Sequence, residues 1–106
     1  MKKFKRKPAV IEAIQYTGSN GLELHKWSNG AVIESPVVQP NEYSPTGAYV
    51  QIKTIDTSYS WATAVVGDWI IKGTHSEFYP CRNNIFIEIY EPIEWVFNIE
   101  SFQQEH

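Results

Sequence analysis

The stretch from Val66 to Pro92, VGDWIIKGTHSEFYPCRNNIFIEIYEP, constrains the fold more than any other part of the chain. Trp69, Phe78, Tyr79, Phe86 and Tyr90 fall close together in it, separated by Gly67-Asp68, Gly73 and Pro80. Aromatic and β-branched runs broken by turn residues read as short paired strands. Gly67-Asp68 is a turn pair, with a glycine free to take positive φ and an aspartate that bonds its own backbone. Trp69-Ile70-Ile71-Lys72 follows as a strand, and Gly73-Thr74-His75-Ser76 as a second turn. Glu77 to Tyr79 starts the return strand, which Pro80 interrupts because it has no N–H for a ladder. Ile85 to Tyr90 then reads as a further strand, covered on both sides. Ile85, Ile87 and Ile89 would lie on one face, Phe86 and Tyr90 on the other. Trp69, Phe86 and Tyr90 are the expected core residues.

The rest of the chain supports the same architecture. Ala9 to Tyr16 reads as the first strand, without strict alternation, as happens when both faces are partly buried. Asn20 stands as an N-cap with Glu23 three positions on, a capping-box arrangement. Leu24 and Trp27 share the face of a short helix, and Asn29-Gly30 stops it. Trp27 is expected as a core anchor. Ala31 to Glu34 is a short strand, followed by a long polar connection through Pro36, Pro40, Tyr43 and Gly47. Connections of that length are functional or mobile. Tyr49 to Ile55 is a strand with Val50, Ile52 and Thr54 on one face; Asp56-Thr57-Ser58 is a turn, and Tyr59 to Val66 the return. The segment 92–102 is ambiguous between edge strand and short helix. Its Trp95, Val96, Phe97 and Ile99 require a partner, either the sheet or a second subunit, so a homo-oligomer through 92–102 is open.

Turns at 56–58, 67–68 and 73–76 are too short for parallel crossovers. The expected fold is therefore α+β: one domain over residues 1–106, with a twisted antiparallel sheet of five or six strands and one short helix. A partly closed β-roll is the accepted variant. Residues 1–7 form a basic arm.

Two segments carry a family resemblance. Lys5-Arg6-Lys7-Pro8-Ala9-Val10-Ile11-Glu12-Ala13-Ile14-Gln15-Tyr16-Thr17-Gly18, together with GDWIIKG, EFYPC, IF and YEP in the 66–93 stretch, resembles a family of small uncharacterised phage and prophage proteins. Ser76 stands where that family usually has glycine, Arg82-Asn83-Asn84 replaces Lys-Pro-Asp, and Ile87 and Ile89 replace polar residues. The resemblance implies a phage origin and a bacterial cytoplasm. It implies no activity.

Composition limits the function classes. A hydrophobic share of 42% with 14% aromatic residues supports a folded core. The single Cys81 excludes an intramolecular disulfide and fits a reducing compartment. No apolar run approaches the ~18 residues of a membrane span, and no apolar region follows the basic start as in a secretory signal. Lys2, Lys3, Lys5, Arg6 and Lys7 place five of the nine basic residues at the start, against twelve acidic residues further on. Such an arm can hold phosphate backbones, but the acidic remainder repels nucleic acid.

Catalytic and cofactor chemistry finds little footing. His25, His75 and His106 show no metal-ligand spacing with Cys81, so neither a metal nor a cofactor is expected. Arg82 beside Cys81 would lower the thiol pKa, and His75 is the nearest base along the chain. Asp68, Glu77 and Glu88 could converge as an acid–base pair, although acids at turns and strand ends are usually solvated. No glycine cradle for a nucleotide is present. A non-enzymatic protein that binds a bacterial host protein through an acidic and aromatic surface is the leading reading. Asp68, Trp69, Lys72, Glu77, Tyr79, Arg82, Glu91 and Glu94 are its candidate residues. The alternative is a binder of nucleotide-like anions in a pocket near Trp69, Tyr79 and Arg82. A small hydrolase stands behind both.

Overall fold

A computed structural model describes residues 1–5, 8–54 and 61–93 of the chain. Six strands and two helices follow in the order β1 (Glu12–Gln15), α1 (Gly21–Trp27), β2 (Val32–Glu34), β3 (Tyr49–Lys53), β4 (Trp61–Val65), β5 (Trp69–Lys72), β6 (Phe78–Cys81) and α2 (Asn83–Ile89). The α+β class and the antiparallel pairing are as expected. The strands do not form one sheet: they make two of three strands each, ordered β1-β5-β6 and β2-β3-β4. Among the described residues neither sheet closes into a roll.

The split falls at the β4–β5 turn. Gly67 takes φ +100° in a tight turn that Asp68 N–H closes on the Val65 carbonyl at 3.0 Å, and β5 does not pair with β4 beyond it. Instead β5 pairs with β1, Trp69 opposite Gln15 and Lys72 opposite Glu12. The turn itself extends this ladder: Tyr16 N–H donates to the Asp68 carbonyl at 2.8 Å, and Gly67 N–H to the Tyr16 carbonyl at 2.9 Å. Asp68 is thus the hinge between the sheets.

The core lies between the two sheets, capped by α1. Tyr16, Leu24, Val32, Val50, Ile52, Ala64, Ile70 and Phe78 are all buried in it, with Ile14 and Trp27 packed against them. Trp27 meets Phe78 edge-on, with ring centroids 5.3 Å apart, and so anchors α1 as expected. Ile71 is equally buried but points to the other face of its sheet, the face that carries Trp69 and Tyr79.

Helix α1 starts and stops where its residues indicate, by partly different means. Asn20 does not cap the helix with its side chain, and the capping box with Glu23 is not formed. The Asn20 amide ties the preceding turn together, accepting from Thr17 N–H at 2.9 Å and donating to the Gln15 carbonyl at 2.8 Å. At the other end Asn29 and Gly30 both take positive φ, and Gly30 N–H bonds the His25 carbonyl at 2.9 Å. Ser28, buried, then accepts from Val32 N–H at 2.8 Å and sets the direction of β2.

The long connection from 35 to 48 is organised around side-chain turns. Asn41 Oδ1 accepts from the N–H groups of Tyr43 and Ser44 at 2.8 and 2.9 Å, an Asx turn. Buried Ser44 donates to the Ala48 carbonyl at 2.9 Å.

Three expectations in the 66–92 stretch need correction. Pro80 does not interrupt the return strand; it lies within β6, opposite Ile70. It is tolerated because β6 is an edge strand, where a missing N–H costs no ladder bond. The segment from Ile85 to Tyr90 is no strand: residues 83–89 form helix α2, with Phe86 N–H on the Arg82 carbonyl and Tyr90 N–H on the Phe86 carbonyl. Phe86 and Tyr90, four apart, land on one helix face over Trp69, and that packing overrides the β preference of the isoleucines. Ile85, Ile87 and Ile89 are exposed as a result, so the segment is not covered on both sides. Trp69, Phe86 and Tyr90 are accordingly half-buried and lie outside the core. The 56–58 turn, and the 92–102 segment from residue 94 onward, lie outside the described residues.

Candidate functional site

The outer face of the β1-β5-β6 sheet carries an aromatic ladder and a groove beside it. Trp69 projects from the first position of β5, and α2 folds back over it. The Trp69 and Phe86 rings stack, centroids 4.1 Å apart and planes within 7°, and Tyr90 continues the ladder 5.0 Å from Phe86. Trp69 Nε1–H donates to Asn83 Oδ1 at 2.9 Å, which fixes the indole to the first residue of α2. A groove of about 990 Å³ opens beside this ladder. Ala9, Val10, Ile11 and Ala13 form one wall; Trp69, Phe86, Ile87 and Tyr90 form the other. Glu91, Pro92 and Ile93 make its lip. Among the described residues that line it, Glu91 is the only charged one. Val10 and Ile87 are 73% and 64% exposed, so the groove presents apolar side chains to solvent.

A second cluster surrounds Asp68. Its Oδ2 accepts from Val65 N–H at 3.0 Å and its Oδ1 lies 4.0 Å from Arg82 Nε. The carboxylate is buried while Arg82 is exposed, so the guanidinium covers the turn from outside. Burial pushes the Cys81 thiol above its ordinary value of 9.0, and the nearby Asp68 carboxylate pushes it the same way. This reverses the effect expected of Arg82, whose charge is directed at Asp68. The thiol stays protonated and donates a long hydrogen bond, 3.6 Å, to the Arg82 carbonyl.

The candidate residues do not converge on one site. Trp69 and Glu91 share the groove, while Tyr79 and Arg82 are not among the residues lining it. Lys72 lies at the far end of β5, 3.9 Å from Glu12 on the neighbouring strand. Glu77 belongs to the β5–β6 turn, where its Oε2 accepts from His75 N–H at 2.9 Å. That turn is a strand length from Asp68, roughly 15 Å at the rise of an extended chain. Asp68 and Glu77 therefore do not form a carboxylate pair, and Glu88 is exposed on α2. His75 and Cys81 are likewise at opposite ends of β6, and the His75 ring meets Thr74 Oγ1 at 3.2 Å. Glu94, Arg6 and Lys7 lie outside the described residues. Among the described residues no group of three His, Cys, Asp or Glu could hold a metal ion. None of their helices is long and apolar enough to cross a membrane.

Sequence reasoning missed the groove wall. Val10 and Ile11 read as strand residues, yet they precede β1 and face α2. The signal was present in Phe86 and Tyr90: a spacing of four satisfies a helix as well as a strand. No family model matches the chain, and no curated protein or solved structure matches it.

Proposed function

We propose that this chain is a small phage or prophage accessory protein that binds and modulates a bacterial host protein in the cytoplasm, without catalysis of its own. The observation that carries this reading is the face built by α2. Between Asn83 and Ile93 the chain offers Glu88, Glu91, exposed isoleucines and a half-buried aromatic ladder, and no lysine or arginine. Aromatic anchors with a charged rim are the anatomy of protein recognition surfaces. An acidic rim also steers a basic partner and speeds its association. The anion-binding alternative is weaker on the same geometry, because Arg82 is directed at Asp68 and does not line the groove.

The test is recovery of partners from bacterial lysate on immobilised full-length protein, read by native mass spectrometry beside a Glu91→Lys, Glu94→Lys double variant. A stoichiometric complex is expected with the parent chain, formed about tenfold more slowly by the charge-reversed one. Identical recovery and association rates for both would remove the acidic face from the proposal.

A further inference from the structure

The edges of the two sheets are blunted unequally. On β2 the Val32 N–H and carbonyl, which point away from β3, are taken by Ser28 Oγ at 2.8 Å and His25 Nδ1 at 2.9 Å. On β1 the Asn20 amide takes the outward Gln15 carbonyl, and on β6 an outward position is Pro80, which has no N–H. β4 is different. Lys53 N–H donates to the Ala31 carbonyl and the Tyr49 carbonyl accepts from Ser35 N–H, so both residues turn toward β2. Their partners on β4, Trp61 and Val65, therefore turn outward, and by alternation so does Thr63 opposite Gln51. The turn closes Val65: its N–H donates to Asp68 Oδ2 at 3.0 Å and its carbonyl accepts from Asp68 N–H at 3.0 Å. Among the described residues nothing closes the backbone of Trp61 or Thr63. Nor does β4, which reads WATAV, carry the charge or proline by which edge strands avoid pairing.

We infer that this edge is a self-association site, its occupant β4 of a second copy running antiparallel about a two-fold axis at Ala62. The register follows from the open groups. With Ala62 opposite itself, Trp61 stands opposite Thr63 of the second copy. The two residues exchange N–H···O=C bonds, and symmetry repeats the exchange across the axis. Every open group on both edges is then paired. A register centred on Thr63 would instead set Trp61 against Val65, whose groups Asp68 already holds. An unrelated extended segment would find the same open groups but run on into Asp68, whereas a second β4 stops where the first does. The side chains agree: Trp61, 47% exposed, comes beside exposed Thr63 on one face of the joined sheet, an aromatic and β-branched pair. So short an edge buries less than the ~1,200 Å² of a stable interface, which sets the dissociation constant at about 100 µM. The edge belongs to the β2-β3-β4 sheet and not to the α2 face, so the inference does not rest on the host-partner reading.

The test uses the full chain alone. Sedimentation equilibrium between about 10 µM and about 1 mM should show monomer passing to dimer. Thr63→Pro removes an outward N–H that the fold does not use, and should weaken the dimer about tenfold with a melting midpoint near the parent value. Register is read separately, in a Cys81→Ser background under oxidised glutathione. Ala62→Cys should give a disulfide-linked dimer about tenfold faster than Val65→Cys, because Cα atoms facing across a non-hydrogen-bonded pair are ~4.5 Å apart, within disulfide reach. A monomer at every concentration would overturn the inference, as would a dimer that Thr63→Pro leaves unchanged. Equal crosslinking of the two cysteine variants would overturn it as well, whether or not Thr63→Pro folds. A monomeric chain whose capture of a lysate protein is abolished by Thr63→Pro would make an extended segment of that partner the occupant. Loss of the dimer alone leaves the proposed host partner untouched.

Discussion

Tyr16 shows how much one residue can hold in a chain this short. It is 1% exposed, its backbone joins β1 to the β4–β5 turn, and its ring belongs to the core between the sheets. Burial pushes its phenol above the ordinary value of 10.0, and the Glu34 carboxylate pushes it further. The folded chain therefore holds the phenolic proton more tightly than the unfolded chain does. That contribution is complete below pH 10 and is lost as pH rises through the folded value. Between about pH 9 and about pH 11 the parent protein should lose stability, and Tyr16→Phe should lose distinctly less. Urea unfolding at the two pH values checks this; an equal fall in both proteins would take Tyr16 out of the account. Cys81 acts in the same direction from its ordinary 9.0, so a residual fall in the variant is expected. Ser76 illustrates a different local constraint. At φ +60° it occupies a conformation that glycine adopts freely.

At the scale of elements, α2 is less buried than α1, which contributes Gly21 and Leu24 to the buried residues. It has seven residues, none of them buried, and no side-chain cap. A helix that short does not persist without packing. What fixes it is the Trp69–Phe86 stack and the Trp69–Asn83 hydrogen bond. Trp69→Ala should therefore cost about 2 kcal/mol, less than the ~3–5 kcal/mol of a large aromatic in a closed core. Its effect should concentrate on α2, seen as faster amide exchange at residues 84–90. Leu24→Ala, at a fully buried position of α1, should cost about 3 kcal/mol and lower the global midpoint. The prediction fails if the two variants destabilise the whole domain alike. This contrast also explains what was legible in the sequence. β5 was readable to the residue, because Gly67-Asp68 and Gly73 bound it tightly and β-branched residues fill it. The helix stop at Asn29-Gly30 and the buried face of β3 were readable for similar local reasons. α2 was not, since its isoleucines favour a strand and only the long-range contact of Phe86 with Trp69 decides for a helix. The split into two sheets was equally hidden, because local patterns say which segments are strands, not which edges they choose. Of the residues lining the groove, Trp69 and Glu91 are also candidates named from the sequence; the wall from Ala9 to Ile11 depends on the position of α2, which the sequence does not show.

Across the whole molecule, charge is separated between the two ends of the sequence. Lys2, Lys3, Lys5, Arg6 and Lys7 open the chain, and no lysine or arginine follows Arg82, although the formal total is only −3. Two uses of that separation make opposite predictions. A nucleic-acid anchor would engage phosphates through the arm, and each phosphate neutralised would release counterions, so affinity would fall steeply with salt. An acidic face aimed at a protein would leave nucleic acid unbound near physiological salt. Ala9, two residues beyond Lys7 in the sequence, lines the same groove as Glu91. Lys72, which might have extended a basic track, lies within 3.9 Å of Glu12, and Arg82 is directed at Asp68. Gel-shift titrations with single- and double-stranded DNA should show no retardation at about 150 mM salt, with or without residues 1–6. At about 20 mM salt a weak shift that depends on residues 1–6 is expected, since screening is then slight and the arm alone attracts phosphate. Arm-dependent retardation that persists at micromolar protein and physiological salt would overturn the acidic-face reading and make nucleic acid the partner.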